Sequence, residues 1–378
     1  MTGNPFVYGE IAPMTAFVDR EAELERLWRD LLDGQKIFLI SPRRYGKSSL
    51  IRHALRSCER AGALTAEVTV SSYSSYLGFL EGYARALVSV ETRVDRARSW
   101  VRELLGSVQP QVRYEVGGSL EISFAHVRNA RDVAHLATEV FDLPARVARD
   151  RRRRLTVALD EFQAIAGFDG GSVEHALRAA VQKQREVGYV FAGSEPALME
   201  RMLGRSRPFY KAGPVMRLGK IPADRFASFV ESRFARSGIK PDAGLGQAVV
   251  ELAGNLPYDV QRLAHEAWDD ARAMSRRRIG LDDLHETLKR LLGEQDTLFE
   301  TLWQRLTLGQ RATLRSAVVE EGRELLSSDT RARHRLGGTS TVQAALAALV
   351  REDILVRDHD RYSVVDSLFR EWVARRTF

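Results

Sequence analysis

Apolar residues recur along the chain with two different periods. Over 37–40 (IFLI), 155–159 (LTVAL) and 189–193 (YVFAG) nearly every residue is apolar, the pattern of strands covered on both faces in a parallel sheet. The stretch 64–70 alternates and is rich in Thr and Val, and VMRL at 215–218 is a further short strand. Between these runs the spacing changes to three and four. Leu24, Leu27, Trp28 and Leu31 predict a helix from near Glu21 through Leu32, capped by Asp19. Leu77, Leu80, Leu87, Val94, Val101 and Leu104 predict one long helix or a broken pair over 76–105, and a further helix spans about 173–186. Gly117-Gly118, between two alternating runs, predicts a β-hairpin inserted at about 108–125. Five strands alternating with helices imply an α/β, three-layer domain with a parallel sheet, whose ligand site lies at the strands' C-terminal ends.

Candidate chemistry stands at those ends. The first strand stops at Ser41-Pro42 and is followed by Arg43, Arg44, Tyr45, Gly46, Lys47, Ser48 and Ser49, then a helical pattern. Strand, tight loop, helix is the order a phosphate cradle needs: backbone N–H groups and the helix N-terminus face the anion, Lys47 neutralises the β and γ phosphates, and Ser48 holds Mg²⁺. Ser41 stands where the usual pattern has its first Gly. The LTVAL strand ends in Asp160-Glu161, the pair a Walker B element requires, with Asp160 ordering the Mg²⁺ shell and Glu161 polarising the attacking water. Ser194, after YVFAG, matches a polar sensor of the γ-phosphate and equally an N-cap for the helix begun by Pro196. The exposed-looking loop with Arg205, Arg207 and Lys211 is either a solvated basic loop or a source of one cation for a neighbouring subunit's nucleotide.

The N-terminal NPF (residues 4–6), F-x-D-R-E-x-E-L at 17–24 and PRR-x-GK-S-SL at 42–50 resemble the archaeal-type ATPase family of the STAND branch of AAA+ P-loop proteins, relatives of the replication-origin recognition ATPases. The resemblance implies ATP or ADP with Mg²⁺ as ligands, and places Phe6, Val7 and Tyr8 near the adenine and Asp19-Arg20 at the site's edge. The alternative is that Phe6 and Tyr8 only tether a terminus. It also implies a helical lid over 222–295, after a core of 1–221. There Gly254-Asn255-Leu256-Pro257 resembles the Pro-containing lid motif, with Pro257 beside the nucleotide, no sensor-2 arginine and Arg262 as a weak substitute. Slow hydrolysis and behaviour as a nucleotide-state switch controlling a partner protein are what this branch suggests.

Residues 296–378 read as helix, helix, helix, hairpin, helix, a winged-helix arrangement. Charge complicates its reading. The chain carries a net charge of +7, with only seven lysines among 57 basic residues, which permits an anionic partner. From Asp296 onward, however, 13 arginines face 12 aspartates and glutamates, and the candidate recognition helix has Thr339, Ser340, Thr341 and Gln343 but no cation before Arg351. Asp358 and Asp360 make the wing acidic, while Arg331, Arg333 and Arg335 are a local basic exception. Two functions stand: a protein-directed switch that self-associates or binds a protein partner, and a DNA-loading ATPase. The single Cys58 excludes a disulfide framework within the chain, and nothing resembles a signal peptide or membrane span, so the expected compartment is the cytoplasm, with no membrane partner.

Overall fold

A computed structural model describes residues 3–90, 103, 105, 108, 110–114, 120–124, 127, 129–168, 171–358 and 361–376. Its contacts divide the chain into two compact units, Arg20–Gly219 and a second formed by Met1–Asp19 with Lys220–Phe378.

The unit Arg20–Gly219 is built on five parallel strands. These are β1 (Lys36–Ile40), β2 (Leu64–Thr69), β5 (Leu155–Asp160), β6 (Val187–Gly193) and β7 (Val215–Arg217), in the spatial order β2-β5-β6-β1-β7. The first strand pairs with both β6 and β7, so it lies inside the sheet, and every residue of β5 and β6 is buried. That burial explains why the three apolar runs do not alternate. Register aligns Ile40 with Gly193 and Thr69 with Asp160, so the residues that follow β1, β5 and β6 emerge at one edge. On one face, Phe38 and Tyr189 each stack on Phe191, at 4.9 and 5.6 Å between centroids. On the other, the helix Glu21–Leu32 approaches so closely that a Cβ on Gly188 would stand 2.0 Å from the Leu31 carbonyl oxygen, which requires glycine there.

The predicted hairpin forms as β3 (Gln111–Tyr114) paired antiparallel with β4 (Leu120–Ser123), while its Gly117-Gly118 turn lies outside the described residues. The helix expected from 76 is described as Tyr76–Val88, and Val94, Val101 and Leu104 lie outside the described residues. Of the arginine run at 151–154, Arg153 donates to the Gly62 and Ala63 carbonyls and Arg154 to that of Arg185, closing the lower edge of the sheet.

In the second unit the helices Ala223–Arg236, Leu245–Leu252 and Pro257–Ala273 are followed by a 25-residue helix, Leu281–Arg305. The expectation of a wholly helical stretch misses two short parallel strands, β8 (Lys240–Pro241) and β9 (Arg278–Ile279), which two residues each are too brief to announce. The winged-helix pattern is observed as helices Leu308–Val319, Ser328–Arg333 and Thr339–Arg351, the antiparallel pair β10 (Leu355–Asp358) and β11 (Arg361–Val364), and the helix Ser367–Arg375. Thr307 starts the first of these by a capping box with Gln310. Asp360 lies outside the described residues. The long helix passes position 296 unbroken, burying Leu284, Leu288, Leu291 and Leu292 before it and Phe299 and Trp303 after it in one apolar cluster.

The N-terminal arm belongs to this same unit. Asn4 donates to the His265 carbonyl at 3.1 Å, the Val7 N–H to Gln261 at 3.2 Å and the Tyr8 hydroxyl to Glu266 at 2.7 Å, three bonds along one face of Pro257–Ala273. Phe6 is 1% exposed, its ring 4.8 Å from that of Phe234.

Candidate functional site

Three chain turns at the C-terminal edge of the sheet bring the candidate residues together. Beyond β1 the chain passes through Arg44 (φ +70°) and Gly46 (φ +86°), both left-handed, and Gly46 accepts the Leu50 N–H at 3.0 Å to open the helix Lys47–Arg60. Gly46 meets that backbone demand without a side-chain penalty. Ser41 does not need to be glycine, because its φ is not among the positive values; it is 1% exposed, its N–H bonds the Gly193 carbonyl at 3.2 Å and its hydroxyl the Pro42 carbonyl at 2.9 Å. The departure from the usual phosphate-loop pattern is thus accommodated by the backbone.

Lys47 lies in the first turn of the helix and points back across the edge of the sheet. It is buried and forms an ion pair with Asp160, and its Nζ is 3.3 Å from Glu161 Oε1. Ser48 donates to the other Asp160 oxygen at 3.1 Å, and the Glu161 N–H donates to Asp160 Oδ1 at 2.9 Å. Glu161 is itself left-handed (φ +52°), which turns its side chain out of the strand direction. Its Oε2 accepts from Ser194 and, at 2.6 Å, from Gln163. Burial raises the Glu161 carboxyl, but the Lys47 charge and the hydrogen bonds from Ser194, Gln163 and Lys47 outweigh it, so the group lies below the ordinary glutamate range. It is therefore ionised at neutral pH.

One cation faces two carboxylates, so the cluster is net negative. The oxygens that could hold a cation are hard ones, Ser48 Oγ and the Asp160 carboxylate, here engaged with each other and with Lys47, and their type suits Mg²⁺. Among the described residues no three His, Cys, Asp or Glu side chains gather as an all-protein metal site.

The remaining sequence candidates are placed as follows. Arg43 is exposed, Tyr45 is buried, and Ser49 is half-buried in the first helical turn. Pro257 opens its helix at N1 in the second unit, where Val7 and Tyr8 keep part of their surface while the Phe6 ring is enclosed. Arg262 and Asp259 line a small cavity with Leu291 and Ser367. Arg205, Arg207 and Lys211 are exposed, the last at φ +51° with its ammonium 5.4 Å over the Tyr210 ring. In the winged helix, Arg333 pairs with Glu320 at 2.6 Å, where His334 also bonds, and Arg331 donates to the Leu326 carbonyl, so Arg335 is the more available of the three cations. Sequence reasoning passed over Gln163, whose signal was a lone polar position inside the apolar turn Phe162–Gly167.

Among the described residues no helix is long and apolar enough to cross a membrane. Residues 297–375 match the model of a family described as a probable winged helix domain. No curated protein matches the sequence. Among solved structures, the chain is similar to a Walker-type ATPase of Pyrococcus abyssi, with a TM-score of 0.60 and 17% identity over 96% of this chain and 97% of that one. It is also similar to the ORC2 protein of Aeropyrum pernix in its ADPNP–ADP complexes (TM-score 0.55, 13% identity, 99% and 98% covered). The ORC1 protein of the same organism in complex with DNA gives 0.53 and 15%, with 97% of each chain covered. The chain thus shares the fold of this Walker-type ATPase and of these ORC proteins, an α/β core on a five-stranded parallel sheet followed by a helical segment and a C-terminal winged helix domain.

Proposed function

We propose that the protein is a Mg²⁺-dependent ATPase of the AAA+ type whose winged helix engages duplex DNA in a nucleotide-dependent way. The observation that carries the ATPase reading is the cluster of Lys47, Ser48, Asp160, Glu161 and Ser194 at one edge of the parallel sheet, with Glu161 ionised and net charge left for a cation. In the reaction, Lys47 neutralises the phosphates, Ser48 and Asp160 hold Mg²⁺, and Glu161 takes the proton of the attacking water. Glu161→Gln tests the assignment: it keeps nucleotide binding while turnover falls about 10²-fold or more, the usual scale of general-base loss.

Support for the DNA partner comes from the whole-chain likeness to a protein solved with DNA, together with the winged-helix match. Arg335 is exposed, whereas Arg333 pairs with Glu320 and Arg331 bonds the Leu326 carbonyl. Fluorescence anisotropy with duplex DNA at two salt concentrations, without nucleotide, with ADP and with a non-hydrolysable ATP analogue, is the test. Salt-sensitive binding in the ATP state, weakened by Arg335→Ala, supports the reading. A second reading, a STAND-like switch acting on a protein, draws on a specific observation: the exposed start of the recognition helix offers Thr339, Ser340, Thr341 and Gln343, and Arg333 is already paired with Glu320. Normal nucleotide binding with no DNA affinity in any state would favour it.

A further inference from the structure

Gln163 has no part in the assignments above, yet its surroundings point to one. It lies in the turn directly after Glu161, is 6% exposed, and is the polar member of an otherwise apolar pair of turns packed by Phe162 and Ile165. Its Nε2 stands 2.6 Å from Glu161 Oε2 and 3.3 Å from both Ser194 Oγ and Glu195 Oε1. An amide has two hydrogens, so the short contact takes one and the two longer ones share the other. Ser194 in turn donates to the same Glu161 Oε2, closing a ring of Gln163, Ser194 and Glu161. One carboxylate oxygen is therefore held by two protein donors, while Oε1 is left facing Lys47 at 3.3 Å.

We infer that Gln163 is a positioning residue for hydrolysis, acting through Glu161; this rests on the ATPase reading above. The terminal torsion of a glutamate is broad, and a general base works only when the reacting oxygen is aimed. With Oε2 pinned by Gln163 and Ser194, Oε1 is the oxygen that receives the water's proton once Lys47 has turned to phosphate. The same geometry recasts Ser194 as a holder of Glu161. Gly193 borders the ring: a Cβ there would meet Met199 Cγ at 2.4 Å and Gln163 Oε1 at 2.9 Å. That amide oxygen is buried with no hydrogen-bond partner among the described residues, an unfavourable arrangement that packing alone does not explain.

The test compares Mg·ATP turnover and affinity for a fluorescent ATP analogue in the full chain, in Gln163→Met, in Glu161→Gln and in the double variant. Met preserves length and burial and removes both donors. The expected result for Gln163→Met is a kcat lower by about tenfold or more, the scale of one hydrogen bond to a charged group, with affinity within about twofold. In the Glu161→Gln background the same change alters residual turnover by less than about twofold, because its effect passes through that carboxylate. Ser194→Ala, a second variant aimed at the same oxygen, gives the same split. Unchanged kcat in an active chain, or equal losses in kcat and affinity, overturns the role of Gln163 and leaves the ATPase reading standing. A wild-type chain that binds nucleotide without turnover overturns both.

Discussion

Replacing Lys47 by Met should destabilise the nucleotide-free protein, not only weaken its grip on phosphate. Lys47 and Asp160 are each under a tenth exposed and Glu161 about a quarter, so removing the ammonium leaves two largely desolvated carboxylates side by side without a cation. Breaking a buried pair by deleting one partner costs about 3–5 kcal/mol. Here the loss is smaller, because Asp160 keeps donors in Ser48 and its neighbour's N–H, and Glu161 keeps Ser194 and Gln163, which brings the expected cost to about 2–3 kcal/mol. For a unit of the size of Arg20–Gly219 that lowers its melting temperature by about 4–12 °C. Calorimetry of nucleotide-free protein at pH 7 is the assay. The folded state holds Glu161 below the ordinary carboxylate range, so its stabilisation is complete above the unfolded value near 4.5 and is lost as pH falls through the folded one. The gap between wild type and variant should therefore narrow on acidification, and adding Asp160→Asn should restore much of the loss at pH 7. A Lys47→Met protein that melts at or above the wild type at pH 7 refutes the reasoning.

Two further outcomes follow from particular contacts. Ser41→Gly, which restores the usual first glycine of the loop, should change nucleotide affinity by less than about twofold and slightly lower stability, since the position lacks a positive φ and the hydroxyl bonds Pro42; equilibrium nucleotide titration and thermal melting check it. Tyr8→Phe should cost about 1 kcal/mol and make the N-terminal arm more open to limited proteolysis, because it removes the hydroxyl's bond to the Glu266 carboxylate, the same contact that pushes the Tyr8 phenol up to about 12.

Where the fold and the candidate site were legible in the sequence, the signal was local. Strand end, loop and helix lie consecutively from Lys36 to Arg60, and Asp160-Glu161 directly terminates an all-apolar run, so periodicity and residue type sufficed to name both. The winged helix was readable for the same reason, since its caps at Thr307 and Ser327 and its hairpin are short-range features. What escaped is long-range or needs geometry. The order of the strands depends on pairings such as Leu64 with Leu155 that no local pattern encodes. The arm's attachment to a helix more than 250 residues away, through Asn4, Val7 and Tyr8, cannot be read from the arm itself. Gln163 was hidden because one polar residue in a buried turn has many explanations until its partners are seen. Nothing near position 296 breaks the helix, since a single helical glycine such as Gly293 costs only about 1 kcal/mol and the helix continues to Arg305.

That unbroken helix makes the second unit a lever. Twenty-five residues at about 1.5 Å each give a rod about 37 Å long, whose first half is gripped by the lid's apolar side chains and whose second half is gripped by Phe369 and Trp372 of the winged helix. A tilt of about 10° at its lid end would carry the far end about 6 Å, roughly the height of one helical turn. The helix has no break at position 296 in which to absorb such a movement, so a displacement of its first half is passed along the rod to the end held by Phe299 and Trp303.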